Sequence, residues 1–179
     1  MDGPIAHFDL AFFLYCEQEG IEVDCTLDSQ VHRFGTDHIA DKALRNKVRQ
    51  RIYKSRWFLD LPVVDGAQEG VRRLQEYFDV WVCTKPLEEN KNCRDDKAAW
   101  LERHFGKDLV RQLIITPDKT HVNGVALLDD AIRIDWMDRG AWKPVIFTTP
   151  WNQEGSIWEP YPHWSWEDEV EDLLEIIYG

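Results

Sequence analysis

No apolar run in this sequence approaches the roughly 20 residues that a membrane-crossing helix needs, and no basic stretch leads into an apolar one at the N-terminus. The expectation is therefore a soluble, cytoplasmic protein with no membrane partner. Basic charge is also scarce: 21 Lys and Arg stand against 33 Asp and Glu, for a formal net charge of -12. That balance argues against a nucleic acid polymer as partner, because such binding draws its affinity from neutralising phosphates. A small phosphorylated ligand stays open, since one local cation or bound metal outweighs a distant negative surface. Cysteine is sparse. Cys16, Cys25, Cys83 and Cys93 show none of the close paired spacings of zinc sites or dithiol motifs, and read as free thiols of a reducing compartment. Repeats and low-complexity tracts are absent too.

What is present suits one ordinary domain with an inserted subdomain: 179 residues, 44% of them apolar. Nine tryptophans are many for this length. They serve either as core residues or as stacking surfaces for a planar ligand, and Trp151, Trp158 and Trp164 are candidates for a subunit interface, as in a homodimer. From Ile5 to Gly20 apolar residues recur at helical spacing, with Gly20 as the stop. A charged, weakly amphipathic stretch from Thr26 to Tyr53 reads as one or two helices outside the main core. In "LPVVDGAQEGVRRLQEYF", Asp65 is the expected cap of a helix that carries Val71, Leu74 and Phe78 on one face. "DVWVCTK" reads as a buried strand, 95–106 as a helix closing on Gly106, and "LIITP", "VALLDD" and "PVIFTT" as three more strands. "SWEDEVEDLLEIIYG" closes the chain as an acidic helix capped by Ser165.

Strands that alternate with helices imply an α/β fold with one parallel sheet covered on both faces. Ligands of such sheets sit beyond the carboxyl ends of the strands, so the residues at which the apolar runs stop matter most. Those stops include Thr84, Thr116, Asp129 with Asp130, and Thr148. Thr84 brings a hydroxyl, Lys119 in "TPDKT" a cation, and the Asp129 and Asp130 pair two carboxylates. Together they can hold a phosphate and a hard divalent cation. Magnesium suits the set, because it accepts one or two carboxylates and completes its octahedron with water and phosphate oxygens. Asp2-Gly3 near the start adds a carboxylate followed by a residue that lets backbone bend sharply.

This combination resembles the haloacid dehalogenase-like phosphatases, and more narrowly the 5'(3')-deoxyribonucleotidases, in which a strand ends in Asp-Met-Asp-Gly before an Ala-Asp-Phe stretch. "MDGPIAHFDLAFF" resembles that motif without its first aspartate and the strand before it. "VCTKPL" resembles the family's Cys-Thr-Ser-Pro-Leu segment, "IITPDKT" its threonine and lysine segment, "LLDD" its paired aspartates, and "PVIFTTPWN" its last strand. The resemblance implies a Rossmann-like three-layer core, residues 1–20 and 57–179, with a small helical cap at 21–56 inserted after the first element. It further implies a magnesium-dependent hydrolysis of deoxyribonucleoside monophosphates through an aspartyl-phosphate. Asp2 would protonate the departing sugar oxygen and later activate water. Thr84 would hold a phosphate oxygen, Lys119 would counter the phosphoryl charge, and Asp2, Asp130 and Asp129 would anchor Mg2+. Phe8, Phe34, Tyr53 and Phe58, with Trp57, would surround the base, and Lys85 would sit at the phosphate.

Four departures qualify the match. The nucleophile has no counterpart in the chain, His7 stands in place of an aspartate, and Lys85 replaces a serine. Pro4 also replaces a β-branched residue, which stiffens the turn after Gly3. In the implied fold the first strand is central, so its loss leaves two neighbouring strands with unpaired edges and an open apolar trench. The expectation is a biological start farther upstream that restores a strand ending in Asp. The rival expectation is a non-catalytic protein that binds nucleotide or phosphate, and a weaker one is a phosphatase for a small sugar or amino-acid phosphate.

Overall fold

The computed structural model describes residues 1–27 and 35–179. Phe34 lies outside them. The chain opens with a tight turn in which the Ile5 and Ala6 amides both donate to the Met1 carbonyl, at 3.1 and 3.0 Å. Helix α1, Phe8–Gln18, follows. His7 caps it, its Nδ1 accepting from the Leu10 amide at 3.3 Å, and Phe8, Phe12 and Cys16 form its buried stripe. Helix α2, Lys42–Lys54, is capped by Asp41. Ile39, Val48 and Ile52 from this region are buried in the same apolar cluster as Phe12, Trp100 and Trp164.

Helix α3, Ala67–Gln75, buries Val71 and Leu74. Asp65 does not cap it. Gly66 holds the N-cap position at φ +77°, a left-handed conformation that favours glycine, and its carbonyl accepts from the Gly70 amide at 2.7 Å. Phe78 lies one turn past the helix end. Strand β1, Val82–Thr84, is shorter than the apolar run that signals it. After it come α4, Cys93–Phe105, α5, Lys107–Arg111, and β2, Leu113–Ile115. Then follow β3, Ala126–Asp129, α6, Ile134–Met137, and β4, Lys143–Phe147. β5, His163–Trp164, has only two residues, too few for periodicity to reveal it. The last helix, α7, spans Val170–Tyr178 with Glu169 at its N-cap. Ser165 instead closes a separate turn, with its amide and hydroxyl donating to Asp168 Oδ2 at 2.6 and 2.9 Å.

The fold is α/β and its strands are parallel, but they make two half-sheets and not one. β1 pairs with β2, and β3 with β4 and β4 with β5. Among the described residues no strand joins β1 to β3. Between them runs a cavity of about 540 Å³, lined by residues of both strands and by Met1, Pro4 and Ile5. Trp166 closes one side and donates from its indole to the Pro4 carbonyl at 2.6 Å, tying the opening turn to the C-terminal region.

Seven of the nine tryptophans are buried, Trp158 is partly so, and Trp81 is half exposed. Trp151 and Trp164 are therefore core residues, unsuited to an interface, because their rings are already covered. A second, smaller cluster joins Ile132, Trp136, Trp142 and Ile146 beneath β4.

Candidate active site

The two half-sheets end on the same polar corner. Thr84 closes β1 and Asp129 closes β3, and both are buried. The link between β1 and the opening turn is a residue that the sequence does not announce, Lys97. It stands on α4 among Cys93, Trp100 and Leu101 at helical spacing, so its stem runs along the buried face and its ammonium emerges at the strand ends. That ammonium donates to Asp2 Oδ2 at 2.5 Å, to Thr84 Oγ1 at 2.9 Å and to the Lys85 carbonyl at 2.8 Å. Its charge also lies 4.9 Å from the centre of the Phe58 ring.

Lys119 is likewise buried, and its ammonium meets Asp129 Oδ2 at 2.5 Å. Burial disfavours both charges, but each partner outweighs it: Asp129 holds the Lys119 ammonium above its usual range, and Lys119 holds the Asp129 carboxyl below its own. Asp130 behaves in the opposite way. Burial and the adjacent Asp129 charge push its carboxyl well above the ordinary range. The buried Met1 amine lies within electrostatic reach of Lys119, Asp129, Asp2 and Lys97, and burial lowers its affinity for a proton.

Gly3 makes this closeness possible. Its backbone is at φ +90°, and a Cβ there would fall 2.2 Å from the Asp130 carboxyl carbon. Any other residue would force the opening turn away from β3. Asn152, a second unannounced residue, is fully buried. Its amide donates to the Asp130 and Phe147 carbonyls at 3.0 and 2.8 Å, and its oxygen accepts from the Thr149 amide at 2.9 Å. It thereby fixes the backbone that carries Asp130.

Asp2, Thr84, Lys119, Asp129 and Asp130 thus share one corner. The predicted base-binding residues stand in a neighbouring aromatic group: the Phe8 ring is 6.1 Å from Phe58 and 6.0 Å from Trp57. Phe8 and Phe58 are buried, and Tyr53, in the last turn of α2, is partly buried against the same cluster. The Lys85 side chain is exposed, and only its carbonyl takes part, as a Lys97 acceptor.

The donor set fits magnesium. One oxygen of Asp2, Oδ1, is buried without a hydrogen-bond partner, and burial beside Asp129 pushes the neighbouring Asp130 carboxyl well above the ordinary range. A hard dication would satisfy the first and favour the ionised form of the second. Asp129 is less available, because Lys119 already takes its oxygen. Apart from this corner, Asp24, Cys25 and His38 place ligand atoms within 4.8 Å of one another. That group includes a thiol and is softer than magnesium accepts.

Residues 22–177 match the family model described as "5' nucleotidase, deoxy (Pyrimidine), cytosolic type C protein". This chain belongs to the 5'(3')-deoxyribonucleotidase family. A Bordetella pertussis protein named among the 5'(3')-deoxyribonucleotidases is 34% identical over 155 residues, which cover 86% of this chain and 83% of that protein. The human cytosolic-type 5'(3')-deoxyribonucleotidase is 31% identical over 137 residues, 74% of this chain and 68% of its own length. The mouse mitochondrial enzyme is 32% identical over 123 residues, 66% of this chain and 56% of its own length. The family is one of phosphoric monoester hydrolases of the 5'-nucleotidase type. In this deoxyribonucleotidase family member, Thr84, Lys97, Lys119, Asp129 and Asp130 lie within the matched span, whereas Asp2 and Gly3 precede it. Among the described residues no helix is long and apolar enough to cross a membrane.

Proposed function

We propose that this fold serves a magnesium-dependent 5'(3')-deoxyribonucleotidase of the cytoplasm, cleaving deoxyribonucleoside monophosphates into nucleoside and phosphate through an aspartyl-phosphate. The observation that carries the reading is the convergence of Thr84, Lys97 and Asp2 with the Lys119–Asp129 pair and Asp130 at one sheet edge. Three carboxyl groups and two ammonium groups in so small a corner are costly to bury unless they serve a charged ligand.

In this reading an aspartate supplies the attacking carboxylate. It bonds to phosphorus as the bond from phosphorus to the sugar oxygen breaks, and Asp2 gives its proton to that oxygen. Asp2 then takes a proton from water, which attacks phosphorus and releases phosphate. Thr84 and Lys97 hold phosphate oxygens, and Lys119 balances charge on them while keeping Asp129 ionised. Magnesium, held by Asp2 and Asp130, would neutralise phosphate charge. The aromatic group of Phe8, Trp57 and Phe58 faces the base, and residues 21–56 act as a cap over it.

The test is phosphate release from dUMP or dTMP with magnesium, using protein extended ahead of Met1 by one apolar strand ending in Asp. Release is the expected result. In that extended protein Asp130→Asn weakens magnesium binding, and Lys119→Met lowers turnover more than substrate affinity. Nucleotide binding without release would favour the binding-protein reading, and release from a sugar phosphate alone would assign the site to another phosphatase.

A further inference from the structure

None of the residues at the polar corner belongs to the group formed by Asp24, Cys25 and His38. His38 ends the single turn Gly35–His38, and its backbone is fixed on both sides. Its carbonyl accepts from the Asp24 amide at 2.9 Å, and the next carbonyl, that of the buried Ile39, accepts from Arg45 Nε at 2.9 Å. The His38 side chain is 4% exposed, whereas the Asp24 carboxylate, 2.6 Å from its Nδ1, is 51% exposed. Two such residues alone make an ordinary histidine and carboxylate contact. The third changes its meaning. Neighbouring side chains of an extended chain point to opposite sides, but the chain bends at Asp24 and Cys25, and the thiol joins the carboxylate beside the imidazole. One ligand atom from each residue lies within 4.8 Å of the other two. Thiolate, imidazole and carboxylate are the ligand types that zinc takes.

We propose that Asp24, Cys25 and His38 bind one zinc-type divalent cation, which clasps the segment after α1 to the segment before α2. Charge favours the set. A thiolate and a carboxylate carry two negative charges and the imidazole none, so a dication completes a neutral complex and no lone charge is placed beside the buried ring. Geometry is close to what the ion needs. Tetrahedral nitrogen and oxygen ligands of zinc stand about 3.3 Å apart, so the carboxylate has to withdraw from Nδ1 by less than about 1 Å. The exposed Asp24 side chain has room for that movement, while the buried His38 stays in place. The ion takes the position of the hydrogen that joins the two residues, and the thiol gives its proton to solvent. Three protein ligands leave the fourth position to water. Magnesium prefers an all-oxygen shell, so the thiolate keeps it away and the two sites take different metals. Once bound, the ion closes the loop 26–37, which adds restraint at the entry to α2. The proposal is independent of the catalytic reading, because it uses neither the polar corner nor any phosphate.

The probes are Co2+ and Zn2+, added to the reduced 179-residue chain in excess Mg2+, which occupies hard oxygen sites. Cobalt adopts zinc's geometry and absorbs light. One equivalent should give the visible spectrum of a tetrahedral ion together with a thiolate-to-cobalt charge-transfer band in the near ultraviolet, and one equivalent of Zn2+ should abolish both. Cys25→Ser should remove the charge-transfer band and weaken zinc binding, measured by calorimetry, about a hundredfold or more, since even outer partners of a metal are worth about 10–100-fold. Asp24→Asn keeps a side chain of the same shape beside His38 and should weaken zinc about tenfold or more. Zinc should also slow amide exchange in residues 24–27 and 35–39 of the parent and leave it unchanged in Cys25→Ser. A charge-transfer band that survives Cys25→Ser would assign the metal to another thiol and overturn the proposal. Zinc binding that is lost in Asp130→Asn but kept in Cys25→Ser would assign it to the polar corner, with the same consequence. Absence of cobalt and zinc binding to the parent chain would overturn it outright.

Discussion

Replacing Lys97 with Met keeps the unbranched apolar stem and deletes only the ammonium, so it isolates what that charge does. Three acceptors then lose their donor: Asp2 Oδ2, Thr84 Oγ1 and the Lys85 carbonyl. A buried acceptor left alone costs about 1–3 kcal/mol, and one-sided loss of a buried ion pair costs about 3–5 kcal/mol. The Lys97 side chain is 1% exposed but that of Asp2 is 32% exposed, so water recovers part of the carboxylate. The low end follows, a loss of about 3 kcal/mol. Urea unfolding followed by tryptophan fluorescence should therefore show a midpoint lowered by about 1.5 M, with the slope unchanged near 2 kcal/mol/M. Adding Asp2→Asn removes the stranded charge, so the double variant should lose less than the sum of the single losses. A midpoint shift under about 0.5 M, or strictly additive losses, would refute the view that Lys97 ties β1 to the opening turn.

Two other changes test separate parts of the argument. In α3 a Cβ on Gly70 would fall 2.0 Å from a ring carbon of Trp166, so Gly70→Ala overpacks the core. The clash outweighs the gain of about 1 kcal/mol in helix propensity, for a net loss of about 2 kcal/mol. Calorimetry should record a Tm lower by about 4–8 °C, and a rise in Tm would show that Trp166 is free to move. His7 must stay neutral to accept from the Leu10 amide, and burial holds its imidazole below the ordinary 6.5 against the pull of Asp65. Its contribution to stability is therefore complete above about pH 6.5 and is lost as pH falls through the folded value. His7→Asn keeps an acceptor at the cap without a titrating group, so its stability relative to the parent should rise as pH drops from 7.5 to 5. A constant difference across that range would mean that His7 binds protons equally in the folded and unfolded states, which would refute the lowered folded value.

The strand ends were legible because a buried parallel strand leaves a continuous apolar run, and its last polar residue marks where chemistry can begin. Thr84 and Asp129 followed from that rule, and Lys119 from its place shortly after β2. Lys97 did not, because in "NKNCRDDKAAW" one lysine among seven polar residues reads as a solvated face. The available signal was its spacing, four residues after Cys93 and three before Trp100, on the only side of α4 that is apolar. Asn152 was hidden for a related reason: an asparagine after a strand reads as a turn former, and only its three hydrogen bonds show that it braces Asp130. The caps of α3 and α7 were misread because Asp65 and Ser165 have capping chemistry while the backbone around them does not. Gly66 takes the first position with a left-handed turn, and Ser165 is committed to Asp168. Side-chain type therefore located the carboxylates and the threonine of the corner, whereas the cation that couples them depended on which helical face turned inward. Helix orientation is set by the whole core, and a local pattern of charges carries little trace of it.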